Sequence, residues 1–93
     1  MNKLDEARIK INEVDQKMAI LFEKRMEAVK AVIEYKLENS VPIYDASREN
    51  EVIEKNLKYI ENEVLKEYYR KYIVSVMDTS KQYQSKIKEE YQK

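Results

Sequence analysis

Five polar side chains in this 93-residue chain stand where helical packing asks for apolar ones: Arg25, Lys36, Arg48, Ser80 and Gln84. Arg25 falls where the apolar stripe of the first segment, continued as a heptad, demands a hydrophobic residue, and Lys36 lies close to that stripe one heptad past Val29. Ser80 and Gln84 sit one helical turn apart on the inward side of the last segment. Singly, each has an ordinary explanation. A lysine can snorkel, an arginine can pair with a glutamate on a neighbouring helix, and an inward serine or glutamine can be a satisfied core group or specify helix register. Together they turn several cations and neutral donors towards one interior, and buried positive charge in excess is costly unless an anion fills it. The chemistry they point to is the binding of a small multivalent anion.

A second group, Asp45, Arg48 and Glu49, opens the middle segment. An N-cap Asp and an early Glu are what helix energetics favour in any case. The arrangement is also expected to leave free backbone N–H groups beside Arg48 and Glu49, where an anion or a hydroxyl could dock. Arg8 shares the first segment with Arg25, but a helix puts about 25 Å of axis between them. They cannot serve one site within one chain.

The elements that must position these residues follow from periodicity. From Leu4 to about Asn39 there is no Pro or Gly, and Leu4, Ala7, Ile11, Val14, Met18, Leu21, Ala28 and Val32 recur at helical spacing. A helix over about 4–39 is roughly 50 Å long, more than the diameter of a compact domain of this size. It cannot bury its stripe alone, and exposed apolar faces are avoided, so a second copy of the chain is expected along it. Pro42 disfavours helix at Val41, and Asp45 caps a second helix over about 46–61 with Val52, Ile53, Leu57 and Ile60 inward. Asn62 is the expected N-cap of a third helix over about 64–90, with Leu65, Tyr69, Tyr72, Ile73, Val76, Tyr83 and Ile87 inward. The fold expected is all-α, one domain over 1–93, with helices long, short, long.

Composition narrows the function. Gly is absent and Pro occurs once, so tight turns that need positive φ have no ready supply. Eighteen basic residues balance eighteen acidic ones, and no overall field favours nucleic acid or an anionic membrane. With no Cys and no His, disulfides, metal sites of the usual zinc type, thiol nucleophiles and imidazole acid–base chemistry are all excluded. No apolar run is long enough to span a bilayer, and the amino terminus lacks the pattern of a secretory leader. The protein is expected in the cytoplasm.

The ordered set Arg8, Asp15, Arg25, Lys36, Pro42, Asp45, Arg48-Glu49 and the late Ser80-x-x-x-Gln84 resembles the all-helical chorismate mutases of the AroQ class. The resemblance spans nearly the whole chain. One departure is the second turn, where relatives often carry a glycine and this chain has Glu61-Asn62-Glu63. The family implies three-helix protomers interlocked as a homodimer that rearranges chorismate to prephenate, on the route to Phe and Tyr, without metal or cofactor. By position, the resemblance implies that Arg25 holds one substrate carboxylate and Arg8 of the partner chain the other. Lys36 and Gln84 would donate to the ether oxygen of the breaking C–O bond. Glu49 and the Asp45 backbone N–H would bind the ring hydroxyl, and Arg48 and Ser80 would assist carboxylate binding. Two rivals stand beside this: a non-catalytic dimeric helical adaptor, and a regulatory relative that keeps the site without turnover. The first gives no reason for Arg25, Lys36 and Gln84 to face inward.

Overall fold

In the computed structural model, which describes residues 1–92, the first helix begins where Asn2 accepts the Asp5 N–H on its side chain at 2.8 Å. Such a cap satisfies one of the donors a helix start leaves orphaned. The helix, α1, covers Lys3–Glu38; its 36 residues give a rod of about 54 Å, and the molecule's longest axis measures 55 Å. α1 therefore sets the length of the protomer.

The end of α1 needs a left-handed residue. Ser40 supplies it, with φ of 52°, and the Val41 N–H then reaches back to the Lys36 carbonyl at 2.9 Å, the long-range bond of a Schellman closure. The absence of glycine had argued against positive φ in the turns; here a serine takes it, at a steric cost of about 1 kcal/mol.

Asp45 then opens α2, Ala46–Leu57. Its Oδ1 accepts the Arg48 N–H at 3.1 Å, and its carbonyl accepts the Glu49 N–H at 3.1 Å. α2 ends at Leu57 rather than running to 61, because bonds from Lys58 to Lys55, Tyr59 to Asn56 and Ile60 to Leu57 tighten the chain into a 3-10 type exit. Asn62 does act as a cap, but of a short 3-10 turn, Glu63–Leu65, where it accepts the Val64 N–H at 3.0 Å. The last helix, α3, comes directly after it over Lys66–Tyr91.

α3 is the central element. It packs against both α1 and α2, which do not pack against each other. The buried apolar side chains are Ile33, Leu57 and Ile73, one from each helix. So thin a core matches the shape: extents of 55 × 27 × 14 Å and a radius of gyration of 16.8 Å, against about 12 Å for a compact chain of this length. Every residue from Met1 to Lys24 is exposed, including the stripe residues Leu4, Ile11, Val14, Met18 and Leu21. Arg25 is the first position on α1 that is not. Among the described residues, no helix is long and apolar enough to cross a membrane.

The left-handed turn predicts a stabilising substitution. Ser40→Gly removes the Cβ clash and should raise stability by about 0.5–1 kcal/mol, while Ser40→Val should lower it by a similar amount. Urea unfolding with unchanged slope checks both; an unshifted midpoint for the glycine variant would show the turn carries no strain.

Candidate functional site

Because α3 holds α1 and α2 apart, a half-open cavity of about 550 Å³ lies over it, between the other two helices. α1 contributes Arg25 and Lys36; the linker and the start of α2 contribute Asp45, Arg48 and Glu49; α3 contributes Ser80 and Gln84. The polar residues singled out in the sequence line this cavity except Arg8 and Asp15. Arg8 lies on the exposed part of α1, and the axial distance from Arg25 is that of an unbroken helix, about 25 Å. The patches between the polar groups are apolar, among them Val29, Val32, Val52 and Met77.

Arg25 does not take the glutamate partner that a structural role would have given it. Its Nη1 donates to the Ser80 hydroxyl, which in turn donates to the Val76 carbonyl at 2.9 Å. This chain of bonds lets Ser80 stay buried with its polar atom satisfied. Lys36 is half-buried, and its Nζ donates to the Ile43 carbonyl at 3.2 Å, tying the end of α1 to the linker that leads to Asp45. Among the described residues, neither Arg25 nor Lys36 has a carboxylate within 4.0 Å. Arg48 is mostly exposed and reaches only Glu51, at 3.9 Å, a pair worth little in water.

The start of α2 carries the cap expected of Asp45. The backbone N–H groups of Arg48 and Glu49 are not free, since Asp45 occupies both, the first through its side chain and the second through its carbonyl. A capping Asp competes for the very donors that an incoming anion would use.

Sequence reading passed over other lining residues, Lys81 and Tyr44 among them. The Lys81 ammonium lies 2.8 Å from Glu49 Oε1, 3.6 Å from Asp78 Oδ1 and 5.8 Å from the centre of the Tyr44 ring. The hydrogen bond to Glu49 raises the Lys81 pKa above its ordinary 10.5, opposed by some loss of hydration and helped by the charges of Glu49 and Asp78. Periodicity had no means of finding Lys81. It is one residue past Ser80, about 100° round the helix from the inward line, and its partner is on another helix.

The lining thus carries the cations Arg25, Lys36, Arg48, Lys81 and Lys88 against two carboxylates, Asp45 and Glu49. Glu49 is already matched by Lys81. What remains is a positive, partly apolar cavity with a neutral amide donor, Gln84, suited to a small molecule bearing two negative charges.

Comparison with known proteins bears on this cavity. A family model described as chorismate mutase type II matches residues 7–85, a stretch that contains Arg8 at one end and Gln84 at the other. The comparison with curated proteins and that with solved structures each return no match.

The Arg25–Ser80 bond predicts coupling between the two residues. Ser80→Ala should cost about 1 kcal/mol, and a double-mutant cycle with Arg25→Met should show most of that loss absent once the guanidinium is gone. Strictly additive losses in denaturant unfolding would show that the two side chains do not support each other.

Proposed function

The chain belongs to the chorismate mutase type II family, the all-helical AroQ class, and we propose on that footing that it rearranges chorismate to prephenate. The observation that carries the proposal is the pair Arg25 and Lys36, which line one cavity with Gln84 and have no carboxylate within 4.0 Å among the described residues. Chorismate is a dianion, and its two carboxylates bring the charge this lining lacks.

Arg25 clamps one carboxylate with its remaining guanidinium N–H groups, steadied by Ser80, and Arg48 assists at the rim. Lys36 has three ammonium N–H groups and spends one on the Ile43 carbonyl. The others are available to the ether oxygen of the substrate, which the Gln84 amide meets as well. Glu49 has one carboxylate oxygen on Lys81 and leaves Oε2 to accept from the ring hydroxyl. The Asp45 backbone N–H donates to the same hydroxyl.

The reaction is a [3,3]-sigmatropic shift within one molecule. The C–O bond breaks as the C–C bond forms, no proton moves, and no nucleophile is needed. A chain with neither His nor Cys is at no disadvantage. Holding both carboxylates selects the compact conformer that can react, an effect worth several kcal/mol. Donors set in advance around the ether oxygen stabilise the charge that develops there, more strongly among apolar walls than in water.

A second copy of the chain completes this reading. The exposed apolar stripe of α1 before Arg25 has no cover within the protomer, and large apolar faces call for a partner. A homodimer that pairs these stripes would also bring Arg8 of the partner chain to the second substrate carboxylate.

Two experiments test the proposal. Purified protein should deplete chorismate absorbance, and Lys36→Ala should lower kcat by roughly 10²–10³ with helicity retained, since alanine suits a helix. Near-normal turnover in that variant would remove Lys36 from the chemistry. Sharing between chains is tested by refolding Arg8→Ala together with Lys36→Ala, each nearly inactive alone. With random pairing about half the dimers are mixed, and each mixed dimer holds one site without a lesion, so activity should return to roughly a quarter of wild type. No recovery despite proven mixed dimers would place Arg8 in its own chain's site or in none.

A further inference from the structure

Lys81 is the cation that joins the cavity's walls. From α3 it reaches Glu49 on α2 at 2.8 Å and lies over the ring of Tyr44 in the α1–α2 linker at 5.8 Å, while its remaining contact, Asp78, is on its own helix. The pair is part exposed, with side-chain exposures of 44% for Lys81 and 25% for Glu49, so water screens it and it adds little to folding. Its geometry has the larger consequence.

Glu49 sits in a cavity that also carries the cations Arg25, Lys36, Arg48 and Lys88 and the Asp45 carboxylate. A glutamate there has three rotatable bonds and no shortage of cations. Left to itself, its carboxylate would be drawn to Arg25 or Lys36 and would cancel the charge that binds a dianion. Lys81 engages it instead, at 2.8 Å. It does so through Oε1 only, which leaves Oε2 unengaged.

We infer that Lys81 is a positioning residue of this site: its ammonium fixes the Glu49 carboxylate as the acceptor for the substrate's ring hydroxyl and keeps it off the cations that bind the substrate carboxylates. This rests on the chorismate reading, which assigns Glu49 to the hydroxyl. Lys81 touches no reacting atom, and its effect passes through Glu49. Tyr44, lying against the ammonium, limits the directions in which the lysine can swing.

The test is a kinetic cycle on the full chain with chorismate as the probe, using Lys81→Met, Lys81→Gln, Lys81→Arg, Glu49→Gln and the Lys81→Met/Glu49→Gln double variant. Both neutral variants should lower kcat roughly 10- to 100-fold, and Lys81→Arg should restore most of it. The double variant should be no worse than Glu49→Gln alone, because the lysine has nothing left to position. For a chorismate analogue lacking the ring hydroxyl, Lys81→Met should turn over as the wild type does. A lysine that only braces the fold predicts otherwise: altered thermal unfolding, equal losses with both substrates, and multiplicative losses in the double variant. Any of these three results, or unchanged kcat in both neutral variants, overturns the inference while leaving the chorismate reading in place. A wild-type protein that does not consume chorismate overturns both.

Discussion

A helix of 36 residues in a chain whose other two helices have 26 and 12 cannot be covered along its whole length by its own protomer. At 1.5 Å per residue, α3 reaches about 39 Å and α2 about 18 Å, against about 54 Å for α1. The rest of the structure depends on that mismatch. The chain folds back only over the part of α1 beyond Lys24, α3 takes the middle of a layer 14 Å thick, and the short α2 lies on the other flank of α3. With α1 and α2 held apart, the space between them over α3 is a cavity, and residues widely separated in sequence share it.

The electrostatics of that cavity are local. The chain as a whole is neutral, yet the cavity collects more cations than carboxylates and leaves Arg25 and Lys36 without an acidic partner among the described residues. Such cations are tolerable because their hydrogen bonds are met by neutral groups, the Ser80 hydroxyl and the Ile43 carbonyl, which satisfy donors without cancelling charge. A salt bridge at either place would fold as well and bind an anion worse. The arrangement keeps positive charge available where the solvent is partly excluded, the condition under which it acts most strongly on a bound anion.

What could be read from the sequence was whatever a local rule determines. Pro42 and Asp45 announce the linker and the start of α2 by restricting and capping the backbone within a few residues. The inward placement of Arg25, Lys36, Ser80 and Gln84 comes from helical period alone. The end of α2 was not readable, since Glu61-Asn62-Glu63 contains no glycine or proline and the exit at Leu57 is set by how the turn packs. Ser40 shows the limit of a compositional argument: lacking glycine, the chain still needed a left-handed residue, and took it at a serine. The place of Lys81 depends on which atoms meet in three dimensions. No periodicity encodes that.

The exposed part of α1 also has a thermodynamic standing of its own. From Lys3 to Lys24 the rod is held by backbone hydrogen bonds and local spacings such as Glu6 to Lys10 and Glu13 to Lys17, each worth only a few tenths of a kcal/mol. Most of a helix's stability in a protein comes from packing of its apolar face, and this segment's face is uncovered within the protomer. In a lone protomer this segment opens locally at little free-energy cost, so its amides exchange with solvent long before those around Ile33 and Ile73. Folding of the chain is then two processes with different stabilities, and whatever covers the stripe decides whether the amino-terminal half of α1 is a helix most of the time or only some of it.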